Sequence, residues 1–390
     1  MVAAVVCAVG LLWMGLPDAF SEQGQTDFEA PYYALKVEDA GGNPWDHAQT
    51  VKARGGYVQH LMYPPHVLRF FRLFAFEDVK KAKDVFLASK LVCLAALCIL
   101  WTAFVIRSGA RGWFMAFAAL GYNGTICRDL VVGNQSIFEQ TLIWFGVFAL
   151  LRGWLWLFCL LIIICGQAKI LPLALLALVL LTDSPRKWHY FIGSIVACGL
   201  IAAGVYWWDP TGTKTFLDLM SHVKFMEPGG VIHPCARTFI YDLTSEVKKL
   251  TGGLTEADAV ERVAYPVYVV YALAVAAAFM WGIRRRRDLR TTIFLAILTY
   301  ILIAPRMKDY SYIIALVPTF ELIRDRLARG GPARWVVLGV AAALTLPGLD
   351  LLWQYRSLML AAWVWAISLR PATAALPTTP VVPDRSVPGT

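Results

Sequence analysis

Four short segments of this chain carry residues that could move a proton or hold an anion, and each lies beside an apolar run. The first, Thr26 to His66, opens with Asp27, followed by Phe28, Tyr32 and Tyr33. A carboxylate against a partly apolar wall holds its proton more tightly, which suits a general base. Glu29, Glu38, Asp39 and Asp46 lie in the same stretch, and any of these carboxylates alone reads equally well as a solvated loop residue. Asp27 is set apart because it is nearest to the preceding apolar run.

The second segment, Ala304 to Tyr312, reads APRMKDYSY between two apolar runs. Arg306 and Lys308, two residues apart with Asp309 and Tyr310 beside them, suit a phosphate at headgroup level; ordinary interfacial snorkelling would place the same cations there. The third is Cys127 to Gln140, CRDLVVGNQSIFEQ. Gly133, Asn134 and Gln135 supply a tight turn and amide groups that fit a sugar hydroxyl, with Arg128 close by, although a helix start capped by Asn134 or Ser136 has the same pattern. The fourth is Lys169, a lone lysine between short apolar runs in GQAKILP. An ionisable residue at that depth is a candidate for function. His222 and His233 lie in a later polar segment, where solvation is the ordinary fate of a histidine.

The elements that must position these residues are membrane helices. The chain of 390 residues is 58% hydrophobic and only 16% charged, where a soluble domain is nearer a quarter charged. Apolar runs at 1–16, 85–106, 113–126, 136–151, 153–165, 168–182, 190–208, 264–283, 291–304, 310–323, 335–352 and 357–369 predict an all-α polytopic membrane protein with about 10–12 transmembrane helices. The pairs 153–165 with 168–182, and 335–352 with 357–369, are short enough to be broken or re-entrant helices. The run at 1–16 lacks a basic flank and reads as an uncleaved first helix.

The net charge of +9 is spread in short clusters between runs. That pattern sets topology and excludes a nucleic-acid surface. Arg107, Arg111, Arg152, Arg186, Lys187, Arg284 to Arg287, Arg290, Arg324, Arg326, Arg329 and Arg334 all fall on one side, so the N-terminus is expected in the cytoplasm and Asp27 on the periplasmic or extracellular side of the cell (inner or plasma) membrane. Two long outer segments result, 17–84 and 209–263. Tyr63 to Phe76 and the stretch Phe216 to Met226 have the composition of interfacial helices. Residues 1–370 form one domain in this reading, and the Pro- and Thr-rich tail 371–390 is expected to be disordered. Six of the eight cysteines (Cys7, Cys93, Cys98, Cys159, Cys165 and Cys198) read as small buried hydrophobes. Cys127 and Cys235 fall in outer segments, where two free thiols are the ordinary expectation. No carboxylate cluster has metal spacing, so no metal and no cofactor is expected.

Taken in order, the motifs resemble glycosyltransferase family 87. They are Asp27–Phe28 after the first run, Asn43-Pro44-Trp45-Asp46, Tyr63-Pro64-Pro65, Gly133-Asn134-Gln135 before a helix, Lys169 with Pro172, and Pro305-Arg306 followed by Lys308-Asp309-Tyr310. The resemblance spans residues 20–325 and implies a GT-C type membrane bundle. It also implies an inverting transfer of a hexose, mannose in the first instance, from a polyprenyl-phosphate-linked sugar donor to a glycan or glycolipid acceptor at the outer face. Asp27 would then be the general base, and Arg306 and Lys308, assisted by Lys169, would neutralise the donor phosphate. Tyr63, Arg128, Asn134, Gln135, Asp309, Tyr310 and His233 would contact substrate. One departure is that Gly133-Asn134-Gln135 continues as Ser136-Ile137-Phe138-Glu139, more polar than the resemblance leads one to expect.

A transporter or flippase for a lipid-linked or anionic substrate would also place charges such as Lys169 among apolar helices. Against it, the charged positions gather at one face and no inverted repeat is apparent. A structural protein leaves Arg306, Lys308 and Asp309 without a role. Arabinose or glucose in place of mannose is indistinguishable at this level, because the epimers glucose and mannose differ only at one hydroxyl and the pocket that reads the sugar is assembled from distant helices.

Overall fold

The computed structural model describes residues 17–21, 23–223, 233–251, 257–284, 288–328, 339 and 354–369. The expected first helix at 1–16, nearly all of the 335–352 run and the 371–390 tail lie outside them. Among the described residues all regular structure is helical. The protein is an all-α polytopic membrane protein. Three helices are long and apolar enough to cross a bilayer, over 79–105, 187–208 and 259–283, and five more are apolar but shorter.

The segment 17–84 contains α1 (Thr26–Asp39), α2 (His47–Arg54) and α3 (Pro65–Phe71). Asp46 caps α2, its Oδ1 accepting from the Ala48 amide at 3.0 Å, and Pro65 occupies the first turn of α3, where the missing N–H has no cost. The apolar faces of α1 and α3 meet the following 72–74 turn and the next helix in an aromatic cluster of Phe28, Tyr32, Phe71, Phe74 and Phe86. Phe28 stacks on Phe86 at 4.5 Å between centroids. That contact seats α1 on the head of the first long helix.

The bundle continues with α4 (Val79–Leu100), α5 (Arg111–Val132), α6 (Ser136–Leu151) and α7 (Leu155–Ala168), then a 3₁₀ segment over Leu171–Leu181. After it come α8 (Lys187–Trp208), α9 (Pro210–Val223), α10 (Ala236–Leu250), α11 (Ala257–Ile283), α12 (Leu289–Ile303), a 3₁₀ turn over Asp309–Ala315, α13 (Leu316–Ala328) and α14 (Arg356–Leu369). α6 packs against both α4 and α7, and α12 lies against α11, α13 and α14. Their buried faces form one core that includes Trp101, Trp144, Phe158, Phe294 and Trp365. The 153–182 region is broken at Lys169, and its halves fold back on one another so closely that a Cβ at Gly166 would lie 2.1 Å from Leu173 Cδ2. All seven described cysteines are free.

Candidate functional site

Asp27 does not lie in an open loop. It sits in the first turn of α1 and is 8% exposed. The turn before it is fixed by Gln25, which adopts a left-handed conformation at φ 58°. A non-glycine residue there costs on the order of 1–3 kcal/mol and persists only when its surroundings over-determine it. Here they do. The Gln25 amide donates to the Val131 carbonyl at 2.7 Å, and its side-chain Nε2 donates to the Ala19 carbonyl at 3.2 Å and the Lys83 carbonyl at 3.1 Å.

The facing strand of backbone is the end of α5. Gly133 closes that helix at φ 74°, and a Cβ on it would lie 2.6 Å from Gln25 Cα. Only glycine meets both demands. The two left-handed residues therefore pack back to back and deliver Asp27 and Asn134 to the same point.

There, Asp27 Oδ2 accepts from Asn134 Nδ2 at 2.8 Å and from the Tyr310 hydroxyl at 3.0 Å. Among the described residues Oδ1 accepts no hydrogen bond. Asn134 and Tyr310 also touch, Nδ2 to hydroxyl, at 2.9 Å. On the other side of the amide, Asn134 Oδ1 accepts from Lys169 Nζ at 3.1 Å and from Ser136 Oγ at 2.9 Å. Four segments distant in sequence thus meet around one carboxylate.

Lys169 is not the lone lysine its sequence setting suggests. Its Nζ lies 2.9 Å from Glu139 Oε1, and Gln135 Nε2 donates to the same oxygen at 2.8 Å. The polar continuation Ser136 to Glu139 is the partner surface for Lys169. Glu139 and Ser136 were missed by sequence reasoning for this reason; the available signal was a buried-side carboxylate one turn into an apolar helix. With its side chain 31% exposed, Lys169 remains reachable by an anion.

Lys169 and Lys308 both approach the Tyr310 ring, with Nζ at 5.8 Å and 5.6 Å from its centroid. Cationic charge is thereby held one aromatic ring away from the Asp27 carboxylate. Arg306 Nη2 lies 3.4 Å from Met62 Sδ, which places it over the segment leading to Tyr63. Tyr63 is buried, and its backbone carbonyl accepts from Trp45 Nε1 at 3.0 Å. Burial pushes its phenol well above the ordinary value, reinforced by the charge of Asp27 and then of Glu139 and Asp129. It stays protonated and can only donate or accept as a neutral hydroxyl.

Arg128 and Asp309 form an ion pair, and the Asp309 carbonyl accepts from Thr125 Oγ1 at 2.8 Å; together they tie the 309–315 turn to α5. His233 is buried rather than solvated. Its neighbours Pro234 and Cys235 bind the 305–312 turn, with the Tyr312 hydroxyl donating to the Pro234 carbonyl at 2.5 Å and Cys235 Sγ 3.3 Å from the Pro305 carbonyl. The geometry brings together Asp27, Asn134, Gln135, Lys169, Lys308 and Tyr310, while Arg128 pairs with Asp309 and His233 is buried beside the 305–312 turn.

A buried carboxylate with one oriented oxygen, beside two lysines and a set of amides, can accept a proton from a hydroxyl while an anion is held nearby. No group of three or more metal-ligating side chains occurs among the described residues. No curated protein matches the chain. The sequence model of glycosyltransferase family 87 matches residues 61–305, more than half of the chain. That span includes Tyr63, Arg128, Asn134, Gln135, Lys169 and His233, while Asp27 precedes it and Arg306 to Tyr310 follow it. The chain belongs to glycosyltransferase family 87.

Proposed function

We propose that this glycosyltransferase is an inverting enzyme that moves a hexose, mannose before other sugars, from a polyprenyl-monophosphate carrier to a glycan or glycolipid acceptor. The observation that carries the reading is the asymmetric setting of Asp27. Oδ2 is held by Asn134 and Tyr310, so Oδ1 is left to take the acceptor proton. The acceptor oxygen attacks the anomeric carbon as the bond from that carbon to the phosphate oxygen breaks, and the polyprenyl phosphate departs as an anion. A phosphate needs no proton to leave, so a single carboxylate suffices.

Lys169, Lys308 and Arg306 are the cations assigned to the leaving phosphate. Asn134 and Gln135 orient a sugar, and Tyr63, Arg128, Asp309, Tyr310 and His233 complete the substrate surround. Base catalysis contributes typically about 10²- to 10⁴-fold, and the lysines act on charge that grows only as the bond breaks.

In this reading residues 1–370 are one GT-C type domain in the cell membrane, with the N-terminus in the cytoplasm and the outer segments 17–84 and 209–263 enclosing the site. The distribution of basic residues between apolar runs supports that orientation. The test is transfer of radiolabel from polyprenyl-phosphate mannose, beside the glucose and arabinose carriers, in membranes containing the protein. Incorporation from one carrier supports the reading and names the sugar. No incorporation from any of them, with folded protein present, rejects it.

A further inference from the structure

Two lysines of α4 are buried where the sequence shows only the start of an apolar run. Lys83 and Lys90 are seven residues apart, two helical turns, and so share one face. That face is turned to the two backbone segments that carry the site. Lys83 Nζ donates to the Gly24 carbonyl at 2.8 Å and lies 2.7 Å from Glu29 Oε1. It holds the segment on which Asp27 rides.

Lys90 grips the other segment. Its Nζ donates to the Asp129 carbonyl at 2.6 Å and lies 2.8 Å from Asp129 Oδ2. Both side chains are 0% exposed, so neither can touch a substrate. The Asp129 carbonyl that Lys90 holds also receives the Gly133 amide at 3.0 Å, and Val131, in the same turn, receives the Gln25 amide at 2.7 Å. One arm of this turn leads to Asn134 and the other to Asp27. Two apolar side chains would fill the same space without fixing that carbonyl.

We infer that Lys90, paired with Asp129, is a positioning residue for the Asp27 carboxylate. It locks the last turn of α5, and that turn sets the spacing between Asp27 and the Asn134 amide. The inference rests on Asp27 being the base.

The experiment compares wild type, Lys90→Met, the double variant Lys90→Met with Asp129→Met, and Asp27→Asn, each in membranes with polyprenyl-phosphate mannose as donor. Transfer is followed against donor concentration, and the folded fraction by thermal melting of the purified chain. A buried ion pair replaced by apolar residues of similar volume is often as stable or more so, so the double variant should melt no lower than wild type. Both variants should lose on the order of 10- to 100-fold in kcat, the scale of a small misplacement. Donor KM should stay near wild type in both variants, so that the loss falls on kcat alone.

A wild-type rate in either variant overturns the inference. So does a loss that follows the folded fraction or that falls on donor KM, which packing damage alone would give. Failure of both variants to fold would make the pair a folding element instead. If Asp27→Asn is inactive while Lys90→Met is normal, only the positioning role falls; if Asp27→Asn still transfers sugar, the base assignment falls first.

Discussion

The Asn134 side-chain amide donates to Asp27 Oδ2 at 2.8 Å, joining residues 107 positions apart in the sequence. This bond decides which oxygen of the carboxylate is available. Asn134→Ala should therefore leave the protein folded and free the carboxylate to rotate. A hydrogen bond to a charged group contributes about 1.5–3 kcal/mol, which corresponds to a loss of about 10- to 100-fold in kcat. Asn134→Asp should be worse, since it sets two carboxylates against each other. Initial rates of sugar transfer at saturating donor measure both; equal rates in the three proteins would remove Asn134 from the site.

Lys169 pairs with Glu139 and, in the proposed function, with the donor phosphate, and the two roles can be separated. Lys169→Met should raise donor KM and also lower the melting temperature, because Glu139 is left buried without its cation. Adding Glu139→Gln should restore the melting temperature and leave donor KM high. Recovery of both together would mean that Lys169 acts on Glu139 and not on the donor.

Gly133→Ala tests the back-to-back packing of the two left-handed residues. The new Cβ would press on Gln25 Cα, and φ 74° is unfavourable for alanine. A cost on the order of 1–3 kcal/mol is expected, read as a lower melting temperature, together with reduced transfer. An unchanged melt would show that the 24–27 segment shifts freely.

Burial lowers the pKa of His66 at the start of α3, the Gln167 backbone opposing that only in part. A histidine whose folded pKa is depressed contributes stability that is fully present above its unfolded pKa, about 6.5, and is lost as pH falls through its folded value. The melting temperature should therefore fall as pH is lowered below about 6.5, and less so in His66→Leu. An equal fall in both proteins would assign the acid sensitivity elsewhere.

How far the sequence reaches is clear from particular residues. The apolar runs and the order of Asp27, Asn134, Lys169 and Tyr310 were legible, because membrane helices and punctuating motifs are local patterns. The partners were not. Glu139 reads as an irregularity in an apolar helix until Lys169 is seen 2.9 Å away. Lys90 and Asp129 are separated by 39 positions, and each looks like an ordinary charge at the edge of a run. The placement of Asp27 in a helical turn depends on Gln25 adopting a positive φ, which no propensity of glutamine suggests. His233 looks solvated in a polar segment, but packing of 233–235 against Pro305 and Tyr312 buries it. Such pairings are set by tertiary contact, and a single chain carries no local trace of them.

The most direct test of the account is the rate of sugar transfer from polyprenyl-phosphate mannose by Asp27→Asn, measured beside wild type in membranes with equal amounts of folded protein. Asparagine keeps the shape of the side chain and its contact with Tyr310 but cannot take a proton. The account predicts that donor binding persists while transfer falls by about 10²-fold or more. Transfer at the wild-type rate would contradict it and move the base to another residue.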